Sequence, residues 1–150
     1  CMDTFEHLPA DTRRAALAEI DRAVAPSGLA AVAFPSGNEA GAAEARIRAA
    51  YRTYTGGEIR WLEEHAGHGL PDGAALAAEA ETVTSARRVR TEGNVNLRVW
   101  EAMWRVMMCG WPGRGNALAQ AALHLLVPVL TRIHRGPCYR TILWLEPRDE

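Results

Sequence analysis

The sequence predicts an α/β fold, with helices layered in a three-layer sandwich on a mostly parallel sheet. Three observations lead there. "LAAVAF", Leu29 to Phe34, is apolar at every position, which suits a strand covered on both faces. The segment before it, "PADTRRAALAEIDRAVAPSG", sets Leu17, Ile20 and Val24 at helical spacing. It ends in a turn with proline second and glycine fourth. Helices then alternate with strands, and a last strand arrives after a long excursion, as crossover connections require.

In chain order, "CMD" reads as the end of a strand, and Asp11 is placed to cap the first helix, which Pro26 must stop. "PSGN", Pro35 to Asn38, closes the apolar strand as a loop. A second helix, Glu39 to Tyr54, carries Ala43, Ile47, Ala50, Tyr51 and Tyr54 on one side. "TGGEIRWLEEHAGHGLPDG" reads as irregular, followed by a short helix from Ala74 to Ala80. "TSARRVRTEG" is a weak strand with Val89 facing inward. Asn94 or Asn96 can cap the next helix, whose stripe is Leu97, Trp100, Met103, Trp104 and Met107, with Met108 and Trp111 beyond. "CGWPGRGN" breaks it. Ala117 to His134 is helical again, kinked near Pro128, and Tyr139 to Leu145 forms a last strand.

At 150 residues the chain is expected to be one domain, spanning 1–150. Its net charge of −1 offers no basic field, so no nucleic-acid partner is expected. Every one of its cations is arginine. Cys1, Cys109 and Cys138 are far apart and form no CxxC pair, which argues against a zinc ribbon or a disulfide framework. Reduced thiols in a cytoplasmic protein are the expectation. The most apolar stretch, Ala117 to Leu130, is too short to span a bilayer.

In open α/β sheets the ligand crevice lies beyond the carboxyl ends of the strands, and here "MDTFEH" and "PSGN" occupy that position. Asp3, Glu6 and His7 are spaced i, i+3, i+4, so one helical turn gathers them on one side, where they could hold a divalent metal. The same residues also have plain structural readings: Glu6 as a helix-entrance pair, His7 as a hydrogen-bonded wall, Asp3 as a strand end. His65 and His68, with Glu63 and Glu64, read as loop residues. Trp100, Trp104 and Met107 are either core packing against the sheet or a plastic apolar wall over a substrate. No nucleophile elbow and no phosphate-cradling loop is present.

"CMDTFEHLP", then "LAEIDRAVAPSGLAAVAFP", resembles the second half of the class I S-adenosylmethionine-dependent methyltransferase domain. In that family a fourth strand runs into a D-x-x-E-H-L turn, and a helix ending in L-x-P-G-G precedes an apolar fifth strand closed by proline. Asp3, Glu6-His7-Leu8, Leu17, Glu19-Ile20, Arg22, Pro26, Gly28 and Leu29 to Pro35 match as they stand, and Ser27 replaces the usual first glycine. The match is good over about the first forty residues. Later segments are similar to the sixth strand, helical insert and antiparallel seventh strand of small members. The family's glycine-rich cofactor loop has no counterpart here, so the chain is expected to begin inside the fourth strand and to be the C-terminal half of a Rossmann-like domain, inactive alone.

The resemblance implies methyl transfer from S-adenosylmethionine to an oxygen or nitrogen of a small-molecule acceptor. Cys1, Met2 and Asp3 would border the cofactor, and His7 would act as general base or substrate contact. Some members bind magnesium through an E-x-x-E-H turn, and Asp3-Glu6-His7 resembles that set with one methylene fewer. Two other readings stay open. One is a non-catalytic module binding a partner or apolar ligand through the Trp/Met face; the other is a small metal-dependent protein built on Asp3, Glu6 and His7.

Overall fold

The computed structural model describes residues 1–84, 87–109 and 116–148. Strands β1 (Ala30–Pro35), β2 (Arg87–Asn96) and β3 (Cys138–Pro147) form one sheet in the order β1-β3-β2. The helices are α1 (Ala10–Ala23), α2 (Gly37–Thr55), α3 (Arg60–His68), α4 (Gly73–Val83), α5 (Leu97–Trp104) and α6 (Asn116–Leu130). A 3-10 turn, Phe5–His7, precedes α1, and a π-helical turn, Arg105–Cys109, follows α5. The fold is therefore α/β. Trp111 and most of the "CGWPGRGN" breaker lie outside the described residues.

The sheet corrects the expectation of mostly parallel strands. β3 pairs antiparallel with β1 (Ala30 opposite Leu145, Pro35 opposite Arg140) and with β2 (Val89 opposite Leu145). β1 and β2 thus point the same way, and the reversed last strand is inserted between them. Among the described residues, parallel pairing is confined to Met2 against Ala33. There Ala33 N–H donates to the Cys1 carbonyl at 2.9 Å, and Asp3 N–H donates to the Ala33 carbonyl at 2.8 Å. Asp3 then turns away at φ 49°, a left-handed conformation that aspartate tolerates better than most residues. An all-apolar run reports cover on both sides of a strand and says nothing of its neighbours' direction, which is why the sequence misled here.

One face of the sheet lies against α1 and α4. Phe5, Leu17, Val32, Phe34, Leu76, Ala80, Leu143 and Leu145 form a continuous core there. Strand residues alternate in direction, so Ile142 and Trp144 face the other way, and they are only half-buried. A second core joins α2, α3 and α5 to the start of β3 through Ala40, Ala43, Ile47, Leu62, Trp100 and Tyr139. The candidate site lies beside it.

Local corrections have local causes. The segment expected to be irregular forms α3, because Ile59, Leu62 and His65, three apart, bury one helical stripe. Pro9, not Asp11, occupies the N-cap of α1; Asp11 accepts instead from the Thr12 N–H at 2.8 Å. Asn96 caps α5 by accepting from the N–H groups of Arg98 and Val99. β2 is a full strand, despite its polar sequence, because β3 pairs along its whole length.

Arg87, 4% exposed, clasps the end of α1 from the first position of β2. Its guanidinium donates to Asp21 Oδ1 and to the carbonyls of Gly28 at 2.7 Å, Val24 at 2.9 Å and Ala25 at 3.0 Å. One side chain thereby meets three carbonyls of the turn that follows α1, of which that of Ala25 also accepts from the Gly28 N–H at 2.7 Å. Arg87→Ala should lower unfolding stability by about 2–4 kcal/mol, since it removes the donor to the Asp21 carboxylate and to the Val24 and Gly28 carbonyls together. Urea unfolding of both proteins measures this, and a loss below about 1 kcal/mol would contradict the clasp.

Candidate functional site

Phe5 is what fixes the turn after Asp3. It is 1% exposed and stacks on Phe34 of β1 with ring centroids 6.3 Å apart. Arg13 of α1 adds a second anchor, donating to the Phe5 carbonyl at 2.8 Å and to the Gly69 carbonyl at 3.1 Å. That bond pair ties the turn to the end of α3. With Phe5 pointing into the core, the next two residues, Glu6 and His7, face α3 on the neighbouring side.

These two residues meet His65 of α3. His7 Nε2 and His65 Nε2 are 3.4 Å apart. Ligand atoms of Glu6, His7 and His65 all lie within 4.8 Å of one another. Glu6 is 1% exposed and its Oε2 has no hydrogen-bond partner. Burial, helped by the nearby Asp3 charge, holds its carboxyl above the ordinary carboxylate range.

Each imidazole has a carboxylate on its other nitrogen. His65 Nδ1 is 3.0 Å from Glu44 Oε1 on α2, and His7 Nδ1 is 3.3 Å from Glu64 Oε2 on α3. Glu44, 3% exposed, also accepts from the Tyr139 hydroxyl at 2.6 Å. A carboxylate accepts and an imidazole N–H donates, so Glu44 fixes the proton of His65 on Nδ1. His65 Nε2 then presents a lone pair to the cluster.

A cavity of about 200 Å³ opens over these atoms, lined by Asp3, Glu6, His7, Pro35, Trp61, His65, Trp100, Trp104, Tyr139 and Arg140. Three tryptophans wall it. Trp61 meets Trp104 at 5.1 Å between centroids, and Trp100 stacks on Tyr139 at 3.7 Å and 12°. Larger grooves exist, one of about 570 Å³ beside α2 and α5. Its Arg46 and Glu101 are paired with each other.

The structure sorts the sequence-predicted residues. His7, Trp100 and Trp104 do face the cavity. Met107, expected on the same wall, sits on the π-helical turn and does not line it. Asp3 lines it, but its carboxylate is held by a two-point pair with Arg140, Oδ1 to Nε at 2.8 Å and Oδ2 to Nη2 at 2.5 Å. Of the expected set Asp3, Glu6 and His7, the last two lie with His65 in a group whose ligand atoms are all within 4.8 Å of one another, and Asp3 is not in that group. Cys1 and Met2 are exposed and lie outside the cavity. His65, read from the sequence as a loop residue, is 3% exposed. Glu44 and Tyr139 were missed entirely. The signal for Glu44 was its place in the stripe Ala40, Ala43, Glu44, Ile47, where a carboxylate interrupts an apolar helix face.

Comparisons with models of known protein families, with curated proteins and with solved structures give no match.

Burial, then the adjacent Glu44 charge, drives the Tyr139 hydroxyl far above its ordinary range. The sign follows: a group raised on folding contributes stability below its unfolded pKa of about 10, and that contribution fades as pH rises further. In an alkaline titration followed at the tyrosinate absorbance, the component lost in Tyr139→Phe should appear only together with unfolding. A Tyr139 signal in the still-folded chain would contradict the buried Tyr139–Glu44 contact.

Proposed function

We propose that this chain supplies the acceptor side of a class I S-adenosylmethionine-dependent methyltransferase, transferring methyl to an oxygen or nitrogen of a small molecule. The observation that carries the reading is the placement of Glu6 and His7. They sit on the turn after a segment paired parallel to β1, at the carboxyl end of both, and they open into an aromatic-walled cavity. Two further features support it: β1 is apolar and closed by Pro35, and the reversed last strand lies next to it. On this reading the chain is the later half of a Rossmann-like three-layer domain.

The cavity's size limits what it can hold. At about 200 Å³ it falls below the roughly 300–1,000 Å³ of pockets for drug-sized ligands, so it fits the reactive end of an acceptor rather than a nucleoside. The cofactor's border would be the exposed face of Cys1 and Met2, the latter 67% exposed, with Asp3 held as a fixed wall by Arg140. S-adenosylmethionine, when bound, supplies a methyl group activated on sulfonium.

The protein's own work is alignment, exclusion of water and removal of one proton. Trp61, Trp100 and Trp104 exclude water and orient a flat or apolar acceptor against the polar floor. His7, about a third exposed, takes the acceptor's proton at Nε2, while Glu64 beside Nδ1 steadies the resulting imidazolium. The alternative of a partner-binding Trp/Met face is disfavoured by Trp100, which is 3% exposed and spent on stacking with Tyr139.

Supplied with the cofactor-binding half that this reading requires, the protein should move labelled methyl from S-adenosylmethionine to a hydroxyl- or amine-bearing small molecule. His7→Ala should lower kcat by roughly 10²–10⁴-fold and change the acceptor KM little. No transfer to any acceptor class, together with no calorimetric binding of S-adenosylmethionine, would sink the reading.

A further inference from the structure

We propose that α6 docks flat on a bilayer surface rich in anionic lipid. The chain as a whole is balanced, with 17 arginines against 18 acidic residues, but one stretch is not. From Ala102 to Leu145 the sequence holds five arginines and no aspartate or glutamate. Within that stretch lies α6, where from Ala121 to Leu130 His124 is the one polar side chain. Helical spacing puts Ala122, Leu125, Leu126 and Val129 on one side, at i, i+3, i+4 and i+7. All four face water, Leu125 at 82%, Val129 at 61% and Leu126 at 52% exposure. Leu123 is turned away from this stripe and is buried, and α6 packs on the π-helical turn Arg105–Cys109. Ile133, just past the helix end, is exposed as well. Apolar side chains gathered along one helix face mark a docking surface, unlike single leucines scattered over a protein.

Charge decides what covers it. Arg132 and Arg135 follow directly on the helix, are exposed, and make no side-chain hydrogen bond or ion pair among the described residues. Exposed arginines elsewhere are paired: Arg22 with Glu19, Arg46 with Glu101, Arg60 with Glu64 and Arg90 with Glu146. An apolar face ending in unpaired cations, on a segment without a carboxylate, complements a surface with an apolar interior and a negative skin. An anionic bilayer is such a surface. A second copy of the chain would bring the same cationic segment to both sides of the contact, with no acid to pair it. A nucleic acid would use the arginines and leave the leucines in water.

The helix lies on the surface, since no described helix is long and apolar enough to cross a membrane. Leu125 and Val129 would enter the acyl boundary while the arginine stems reach back to the headgroups. Among the described residues, none of α6 lines the cavity over Glu6, His7 and His65, so the docking face stands or falls independently of methyl transfer.

The test is flotation of the full chain with unilamellar vesicles, either of phosphatidylcholine alone or with about a third of it replaced by phosphatidylglycerol. Flotation separates bound protein from aggregate, which sinks. The chain should bind the anionic vesicles roughly tenfold or more tightly than the neutral ones, and rising salt should release it. Leu125→Gln with Val129→Gln should weaken binding to anionic vesicles roughly tenfold or more. Arg132→Gln with Arg135→Gln should weaken it roughly tenfold for anionic vesicles and leave the neutral ones unaffected. Tyr54→Gln, on a comparably exposed residue of α2, should change nothing. All these side chains are exposed, so the variants should keep the fold, which circular dichroism checks. No flotation with anionic vesicles overturns the proposal, as does unchanged binding in the Leu125/Val129 variant. A dimer in sedimentation velocity that the same variant dissolves, without flotation, overturns it in favour of a second copy. Equal binding to both vesicle types overturns the anionic surface.

Discussion

The buried carboxylate of Glu44 is the constraint on which the site depends. It sits in the middle of the apolar face of α2, taken out of water, and two donors meet it: the Tyr139 hydroxyl from β3 and the His65 ring from α3. An ionised carboxylate in such a place is costly unless its lone pairs are met. The same two bonds therefore set three elements at once. They hold the start of the last strand against α2, set the rotation of α3, and decide which nitrogen of His65 carries the proton. Tyr139 in turn is the platform on which Trp100 stacks, so the aromatic wall follows from the same contact.

The second constraint comes from the other side of the cavity. Phe5 anchors a three-residue turn in the α1/α4 core, and Arg13 ties the turn's backbone to the end of α3. Glu6 and His7 have little freedom left once Phe5 is packed. The site thus arises where two independently packed cores adjoin, one holding His65 and Glu44, the other holding Glu6 and His7. That arrangement is rigid in the way a catalytic or metal-binding constellation requires, because each functional side chain is placed by packing rather than by a loop.

What could be read from the sequence follows from which forces are local. β1, α1 and α2 were legible because apolar periodicity and a proline stop are short-range signals, and a cavity lined by Asp3, Glu6 and His7 lies at the "MDTFEH" segment. Sheet direction was not legible, since β3 inserts between β1 and β2 from more than forty residues away, and no local pattern records that. α3 was misread because glycines and charged residues around it mask the three-residue spacing of Ile59, Leu62 and His65. The pairing of Asp3 with Arg140, 137 positions apart, is beyond any spacing argument, yet it holds both oxygens of Asp3. Glu44 was legible in principle: a carboxylate inside an apolar stripe demands a buried partner, and only a few donors can meet it.

The electrostatics of the cluster carry the argument one step further. Glu6, Glu44 and Glu64 stand around two histidines, while the nearest guanidinium lining the cavity, that of Arg140, is already neutralised by Asp3. Glu64 is partly exposed and also paired with Arg60 at 3.0 Å, whereas Glu6 and Glu44 are buried, where unmet carboxylate charge is costly. A single proton between the two Nε2 atoms makes their 3.4 Å contact a hydrogen bond, with Glu64 and Glu44 each beside an Nδ1. Glu6 Oε2 stays without a hydrogen-bond partner on the wall of the cavity, and the raised range of its carboxyl follows from that burial.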